Sequence, residues 1–383
     1  MSVSAYPSST TSCSHPPAIT GLQELPRPDG TLHGSRVKRN TGVLKRIRSL
    51  THDTLELTVT CEPGSQPLHH LAGQYATLHT SDLDKPRSYS FAKAPSQEAA
   101  GEYTFFVRLV PGGAFSGWLF EQDRTGATLA IAGPLGKFGL DDSDRTIVAI
   151  AGGSGMSAIK ALLEDATTRK VARDCVFLYG ARTQGDLYCQ DEIEEIRRSW
   201  HPDHTFESVM VLSDEPAGST WDGPTGFVTD HLNEHYLRNG KLRADDVTVL
   251  FCGPPPMVDA GVAVLGAAGV SAEHIRYDKF EDATSPAPVI NNLSCVLCDE
   301  CLLVKPVEGC IVEVSELMVA PDSESVGYQP VRPAETSGVY YNTLLIDPEK
   351  CIRCYACVEA CPTDAISPDH DPIPQTLRAS LHA

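Results

Sequence analysis

Short runs that alternate apolar and polar residues recur from about residue 41 to about residue 140. "TLELTV" and "YTFFVRLV" are two of them, set between turn residues in the stretch from "TGVLKRIRSLTHDTLELTVTC" to "LAIAGPLGKFGL". This period of two predicts strands of a small antiparallel β-barrel over residues 41–142. The pattern changes at "RTIVAIAGGSGMSAIKALLEDA", where an apolar run leads into a glycine-rich turn and then helical spacing. "CVFLYGARTQGDLY" with "CQDEIEEIRRSW", and then "VTVLFCGPPPMVDAGVAVLGAAGV", repeat strand, turn and helix. That order predicts an α/β domain with a parallel sheet over residues 143–282. "EDATSPAPVINN" reads as a Pro/Ser/Ala linker, assigned to 283–291, and a cysteine-rich unit over 292–372 follows. Residues 1–40 and 373–383 read as tails, and no internal repeat is visible in the first two domains.

Composition supports several domains. The chain has 383 residues, against roughly 100–200 per domain. It is 41% apolar and 21% charged, as ordinary globular proteins are. No apolar run approaches the ~18 residues of a membrane span. The start, "MSVSAYPSSTTSCSHPP", has neither the basic flank nor the apolar stretch of a secretion signal, so a disordered tail and cytoplasmic residence are expected. The net charge of −19 argues against nucleic acid and anionic membrane as partners. From residue 289 onward 14 acidic residues face 5 basic ones. An acidic face there would suit a basic partner protein, although on charge alone a solvated surface is the favoured reading.

Thirteen cysteines could indicate a secreted disulfide scaffold, but their distribution does not. Eight lie between Cys295 and Cys361 in C-x-x-C runs, and five (Cys13, Cys61, Cys175, Cys189, Cys252) are scattered. Clustered C-x-x-C in an intracellular chain points to metal ligation.

Three stretches of the first two domains carry further chemistry. "PRSYSFA" sets Arg87, Ser88, Tyr89 and Ser90 near a strand end, where cationic and hydroxyl groups can hold a phosphate and a tyrosine ring can pack on a flat heterocycle. About 25 residues on, "PGGAFSGWL" brings Gly112, Gly113 and Ser116 to the start of a helical run. In "AGGSGMSAIKAL", Gly152, Gly153, Ser154 and Gly155 lie between strand and helix, where amides can approach a pyrophosphate. Each string alone also fits an ordinary turn, and Cys252 in "CGPPPMV" alone fits a buried structural cysteine.

Together these strings resemble the ferredoxin–NADP reductase superfamily, in its oxygenase-reductase form, from about residue 42 to 280. The resemblance implies FAD rather than FMN, held by Arg87, Ser88, Tyr89 and Ser90, with Tyr89 covering the isoalloxazine and Ser116 on the pyrophosphate. It implies that Arg182 of "YGARTQGDLY" meets the adenosine ribose, that Cys252 lies near the nicotinamide, and that Gly253 allows close approach. Phe280, closing "IRYDKF", is either an aromatic gate beside the flavin or a packing residue under the linker. Ser90, Cys252 and Phe280 are thus the candidate catalytic residues. A single arginine in "GART" favours NADH over NADPH. No acid–base triad is needed, because hydride transfer depends on stacking and distance.

The last 100 residues hold two cysteine runs. Cys351, Cys354, Cys357 and Cys361, followed by Pro362, form C-x2-C-x2-C-x3-C-P, which resembles the bacterial ferredoxin run. Cys295, Cys298, Cys301 and Cys310 form C-x2-C-x2-C-x8-C. In two-cluster ferredoxins the fourth cysteine of each run serves the other cluster. Cys295, Cys298, Cys301 and Cys361 are therefore expected to hold one [4Fe–4S] cluster, and Cys351, Cys354, Cys357 and Cys310 a second, in a small α+β ferredoxin-like domain. The first run departs from the pattern, with Ile311 where proline would stand and about 40 residues before Cys351. The plant-type C-x4-C-x2-C spacing is absent, and zinc is the alternative metal.

The expected function is that of an NAD(P)H-dependent reductase. Electrons would pass from NAD(P)H through FAD and two [4Fe–4S] clusters to a partner protein, an oxygenase component, and "CIRCYACVEACP" reads as the outlet. Reverse flow from a ferredoxin to NAD(P)+, or a flavin reductase with a zinc-bearing docking module, are the alternatives.

Overall fold

The computed structural model describes residues 37–280, 285–291, 294–314 and 343–368. The two expected tails lie almost wholly outside these residues.

The alternating segments form six antiparallel strands: β1 (Lys38–Ser49), β2 (Thr54–Cys61), β3 (Tyr75–His79), β4 (Arg87–Ser90), β5 (Glu102–Arg108) and β6 (Thr128–Leu135). Their order is β4-β3-β6-β1-β2-β5, and a bridge from Phe91 to Phe105 nearly closes the sheet into a barrel. Closure turns one face of every strand inward, so Leu44, Leu57, Leu78, Phe91, Phe105 and Ile131 share one core. Helix α1 (Ala114–Glu121) stoppers this core with Phe115, Trp118 and Leu119. The buried Glu56 carboxylate takes Arg46 at 3.2 Å and Arg48 at 2.9 Å, so it is not left unpaired.

The second domain is a parallel sheet of β7 (Thr146–Gly152), β8 (Cys175–Ala181), β9 (Phe206–Leu212), β10 (Val247–Gly253) and β11 (Ile275–Lys279), ordered β11-β10-β7-β8-β9. Side-chain alternation explains its nearly unbroken apolar strands. Ile147, Ala149 and Ala151 of β7, with Phe177 and Tyr179 of β8, face helices α2 (Met156–Thr168) and α3 (Gln190–Ser199). Val148, Ile150, Val176 and Leu178 face α4 (Val228–Leu232) and α5 (Pro255–Ala267) on the other side. Both faces are covered, so neither can be polar. The barrel packs against the first face through Ala72, Ala92, Phe106 and Phe138. Polar contacts fix that junction: Lys160 donates to the Ala92 carbonyl (3.1 Å) and the Ala94 amide donates to Glu164 (2.9 Å).

The cysteine-rich unit contains β12 (Val289–Ile290), α6 (Glu300–Leu303), β13 (Ile311–Val314), β14 (Thr343–Ile346), α7 (Ala356–Ala360) and β15 (Ile366–Ser367). β12 pairs antiparallel with β15, and β13 with β14. Val289 and Ile290, which the sequence assigns to the linker, are therefore the first strand of this unit. Two-residue strands are too short for periodicity to reveal them. Ile290, Leu302, Ile311, Leu344 and Ile366 form a small core with Cys301, Cys310 and Cys357.

The unit sits on the barrel. Tyr75, Leu135, Ala132 and Val37 enclose Ala356, with Val304 and Cys354 packed against them. Around this patch the Tyr75 hydroxyl donates to the Cys354 carbonyl (2.6 Å) and the Lys137 amide donates to Glu359 (2.8 Å). Arg39 pairs with Glu308 (3.0 Å) and also donates to the Pro306 carbonyl (3.3 Å). Gly136 is required here, since a Cβ would lie 2.8 Å from the Tyr75 ring.

Candidate functional site: a junction of three domains

Strand β4 presents the first group. It pairs with β3 so that Tyr75 is opposite Ser90 and Ala76 opposite Tyr89. Tyr89 is half-buried with its ring 5.4 Å from that of Phe115, and Ser88 is exposed. Arg87 is half-buried and makes one hydrogen bond among the described residues, to the Pro86 carbonyl (2.9 Å), with no ion pair among them. A half-buried cation with no carboxylate partner, beside an aromatic ring, fits the phosphate and ring of a flavin nucleotide. Gly112 has φ +71°, which a tight turn requires. Ser116 is buried, and its hydroxyl accepts the Val110 amide (3.1 Å) and points to the Gly113 carbonyl (3.4 Å). The hydroxyl expected on the pyrophosphate is thus engaged within its own turn.

The glycine turn stands at the end of β7. Gly153–Gly155 form a single 3-10 turn before α2. A Cβ on Gly155 would lie 2.1 Å from the Cys252 carbonyl oxygen, so this glycine lets α2 press directly on β10. Ser154 accepts at its carbonyl from Ser157 (2.8 Å), and the Gly153 carbonyl accepts from Tyr188 (2.8 Å). Arg182 is exposed at the end of β8, 3.4 Å from Asp53 and 3.5 Å from Asp186. The same Asp53 binds Arg108 at 2.9 Å and so ties barrel to sheet. Its carboxyl lies below the usual range, although burial opposes this, because Arg108, Thr51 and Thr54 donate to it.

Cys252 and Gly253 end β10, and both are buried. Cys252 is in register with Asp278 of β11, and its sulfur lies 3.8 Å from the Asp278 carboxylate. The same carboxylate oxygen accepts from Ser90 of the barrel at 3.3 Å. Burial raises this carboxyl to about 7, and the charge of Glu359 adds to the rise, while Ser90 and Cys252 oppose it. Asp278 is the residue that sequence reasoning missed. It lies within "IRYDKF", where a carboxylate in a strand of a covered sheet was the available signal. Phe280 is half-buried against the core beneath the sheet, and its amide donates to the Gly253 carbonyl (3.3 Å). Phe280 thus packs at the end of β10, where its amide is tied to Gly253.

The cysteines fall into two sets. Cys295, Cys298, Cys301 and Cys361 line one small cavity with Ile290, Leu344 and Ile366. Burial pushes the Cys301 thiol up to about 12, with Cys295, Cys298 and Cys361 adding to it. Cys310 is likewise pushed up to about 12 by burial and then Cys351, and Cys354 to about 12 by burial with Cys310 and Cys351 adding. The twelve described cysteines are all free. Both loops turn alike: Leu297 (φ 53°) and Asp299 (φ 64°) in the first match Arg353 (φ 58°) and Tyr355 (φ 57°) in the second. Paired left-handed residues at equal spacing wrap each loop about its own centre. The Ala365 amide donates to the Cys361 sulfur (3.2 Å). Four converging soft thiols with such a loop fit an iron–sulfur cluster in each set, and four thiolates also suit zinc.

Among the described residues no helix is long and apolar enough to cross a membrane. Three family profiles match: an oxidoreductase FAD-binding domain at residues 41–139, an oxidoreductase NAD-binding domain at 149–262, and a 4Fe-4S binding domain at 344–367. The chain is 41% identical to the electron transfer component of xylene/toluene monooxygenase from Pseudomonas putida, over 63% of this chain and 65% of that protein. It therefore spans just under two thirds of that relative. It is 34% identical to the reductase component of propane 2-monooxygenase from Mycolicibacterium smegmatis, over 67% of this chain and 71% of that protein. Among solved structures, the ferredoxin reductase in carbazole 1,9a-dioxygenase superposes with a TM-score of 0.55 at 29% identity, covering 64% of this chain and 70% of that one. The chain belongs to the ferredoxin-reductase-type family of FAD- and NAD-binding electron-transfer components, and carries a 4Fe-4S ferredoxin motif after its nucleotide domain.

Proposed function

We propose that this chain is an NADH-dependent reductase that carries FAD and two [4Fe–4S] clusters and delivers single electrons to the oxygenase component of a multicomponent system. The observation that carries the proposal is the junction itself. Ser90, Tyr75, Asp278 and Cys354 bring barrel, nucleotide sheet and cysteine loop to one place. When bound, the flavin takes a hydride from the nicotinamide and the clusters carry electrons one at a time.

The chain's own residues set the geometry. Arg87 supplies positive charge for the flavin phosphate, and Tyr89, backed by the buried Phe115 ring, supplies an aromatic wall. Gly155 and Gly253 bring the nicotinamide site close to Ser90 by allowing tight packing of β10 with α2 and Met257. NADH is favoured over NADPH because Arg182 is already neutralised by Asp53 and Asp186, and Asp214 and Glu215 follow nearby at the end of β9. That acidic rim repels a 2′-phosphate. Cys295, Cys298, Cys301 and Cys361 would hold one cluster, and Cys310, Cys351, Cys354 and Cys357 the other. The relatives named as monooxygenase components support an oxygenase as acceptor.

Anaerobically reconstituted protein should contain one FAD and ~8 iron per chain. Cys354→Ser should abolish transfer to a protein acceptor while NADH-to-ferricyanide activity survives. Zinc in place of iron, or equal loss of both activities, overturns the proposal.

A further inference from the structure

The two cysteine runs fold alike but carry different side chains at matched positions. Both have the C-x2-C-x2-C spacing and a pair of left-handed residues, Leu297 (φ 53°) and Asp299 (φ 64°) in one, Arg353 (φ 58°) and Tyr355 (φ 57°) in the other. The set of Cys310, Cys351, Cys354 and Cys357 is the inner one. Its Cys354 packs on the barrel with Tyr75 and Leu135, and Cys310, Cys351 and Cys357 are buried. The outer set of Cys295, Cys298, Cys301 and Cys361 includes the exposed Cys298. Reduction makes a cluster more negative, and burial opposes added charge. Position alone would therefore make the inner cluster the harder one to reduce.

Arg353 works against that. Its Nη1 donates to the carbonyls of Pro348 (2.9 Å) and Cys351, and its Nε donates to that of Ser285 (3.2 Å). The guanidinium thus stays folded onto its own loop, half-buried, with no ion pair among the described residues to cancel its charge. Two other charged groups, Lys305 and Glu308, act on Cys310 in opposite senses. Amides reach sulfurs in both sets, from Ala356 to Cys354 and Val307 to Cys310 in the inner one, and from Ala365 to Cys361 in the outer one. Hydrogen bonding to sulfur therefore does not set the two apart. Leu297, at the place matching Arg353, is apolar and packs on the small core of the unit.

We infer that Arg353 tunes the inner cluster: its fixed positive charge offsets the burial of that site and raises its reduction potential, a service that Leu297 does not give the outer set. Each cluster takes up one electron from the flavin, and no atom is transferred. The raised potential lets the set seated on the barrel accept that electron despite its burial.

The inference rests on the reading that both sets hold [4Fe–4S] clusters, so iron is counted first. A holoprotein without ~8 iron per chain fails that reading before any potential is measured. Midpoints are then read by reductive titration of the holoprotein with electron-spin-resonance detection, the two signals being assigned with Cys310→Ser and Cys361→Ser. Arg353→Gln should lower the inner midpoint by the equivalent of about a tenfold change in its reduced-to-oxidised ratio, about 59 mV for one electron, and leave the outer midpoint in place. Arg353→Lys keeps the charge but not the planar fork over three carbonyls, and should stay close to the unaltered protein. A role confined to bracing the loop would make the Lys variant fall with the Gln variant. An unchanged inner midpoint in Arg353→Gln, equal shifts at both sites, or an equal drop in Arg353→Lys overturns the inference. Should Arg353→Gln lose iron, Leu297→Arg decides. It should raise the outer midpoint by a like factor, and an unchanged midpoint or lost iron there overturns the inference.

Discussion

Tyr75 joins the barrel to the cysteine unit, and removing its hydroxyl isolates that joint. Tyr75→Phe keeps the ring within the patch of Val37, Leu135 and Ala356 but deletes the 2.6 Å hydrogen bond to the Cys354 carbonyl. Tyr75 is 6% exposed, so water cannot simply take the place of the hydroxyl. Losing one such bond with its acceptor left short of a partner costs about 1–2 kcal/mol, or roughly a 5–30-fold change in the ratio of docked to undocked unit. Native-state hydrogen exchange reads this directly. The amides of Val358, Glu359 and Cys361, bonded within the α7 turn, should exchange faster by that factor. The amides joining β1 to β2 should not change. Tyr75→Ala, which also empties the patch, should have the larger effect, about 3–5 kcal/mol. Unchanged exchange in α7, or an equal acceleration throughout the barrel, would refute the view that Tyr75 holds the unit in place.

Two further outcomes follow from the junction and the thiols. Asp278 is lifted to about 7 from an ordinary 3.8 by burial, with Glu359 adding and Ser90 and Cys252 opposing. A carboxyl of this kind binds more protons folded than unfolded, so its stabilisation is full below about pH 4 and is lost as pH rises through about 7. Asp278→Asn should flatten that decline, with a gain on the order of 3 kcal/mol at pH 8 in denaturant unfolding, and superimposable pH profiles would count against it. For the cysteines, Cys310→Ser and Cys351→Ser should disturb one electron-spin-resonance signal of the reduced holoprotein, and Cys361→Ser and Cys295→Ser the other. Cys310→Ser disturbing the same signal as Cys295→Ser would contradict the exchange of fourth ligands.

Much of the architecture was legible because it depends on local pattern. The apolar runs of β7, β8 and β10 are long enough to reveal a parallel sheet covered on both faces, and barrel strands such as β2 and β5 alternate visibly. The spacing of the cysteines suggested a grouping, and Cys310 does lie within electrostatic reach of Cys351 despite the departure at Ile311. What could not be read is long-range. Tyr75 and Cys354 are 279 residues apart, and nothing local marks either as an interface residue. Asp278 was passed over because one carboxylate in a short strand has no periodic signature, and its meaning arises only when Ser90 and Cys252 approach it. Ser116 carried the right motif, yet its hydroxyl closes its own turn, a choice that depends on how the Val110–Gly113 backbone folds.

The crossing of the two thiol sets has a consequence for biogenesis. During synthesis the set facing the barrel gains its last member at Cys357, while the set nearer the N-terminus waits for Cys361. The site whose first residue emerges earliest is therefore completed last. The same end of the chain supplies Ile366–Ser367, the strand that pairs with Val289–Ile290. A chain clipped after Ala360 would keep all four thiols of the inner set but lose the fourth thiol of the outer one and the strand that closes the unit. Such damage would spare the seat against the barrel and leave the set of Cys295, Cys298 and Cys301 incomplete.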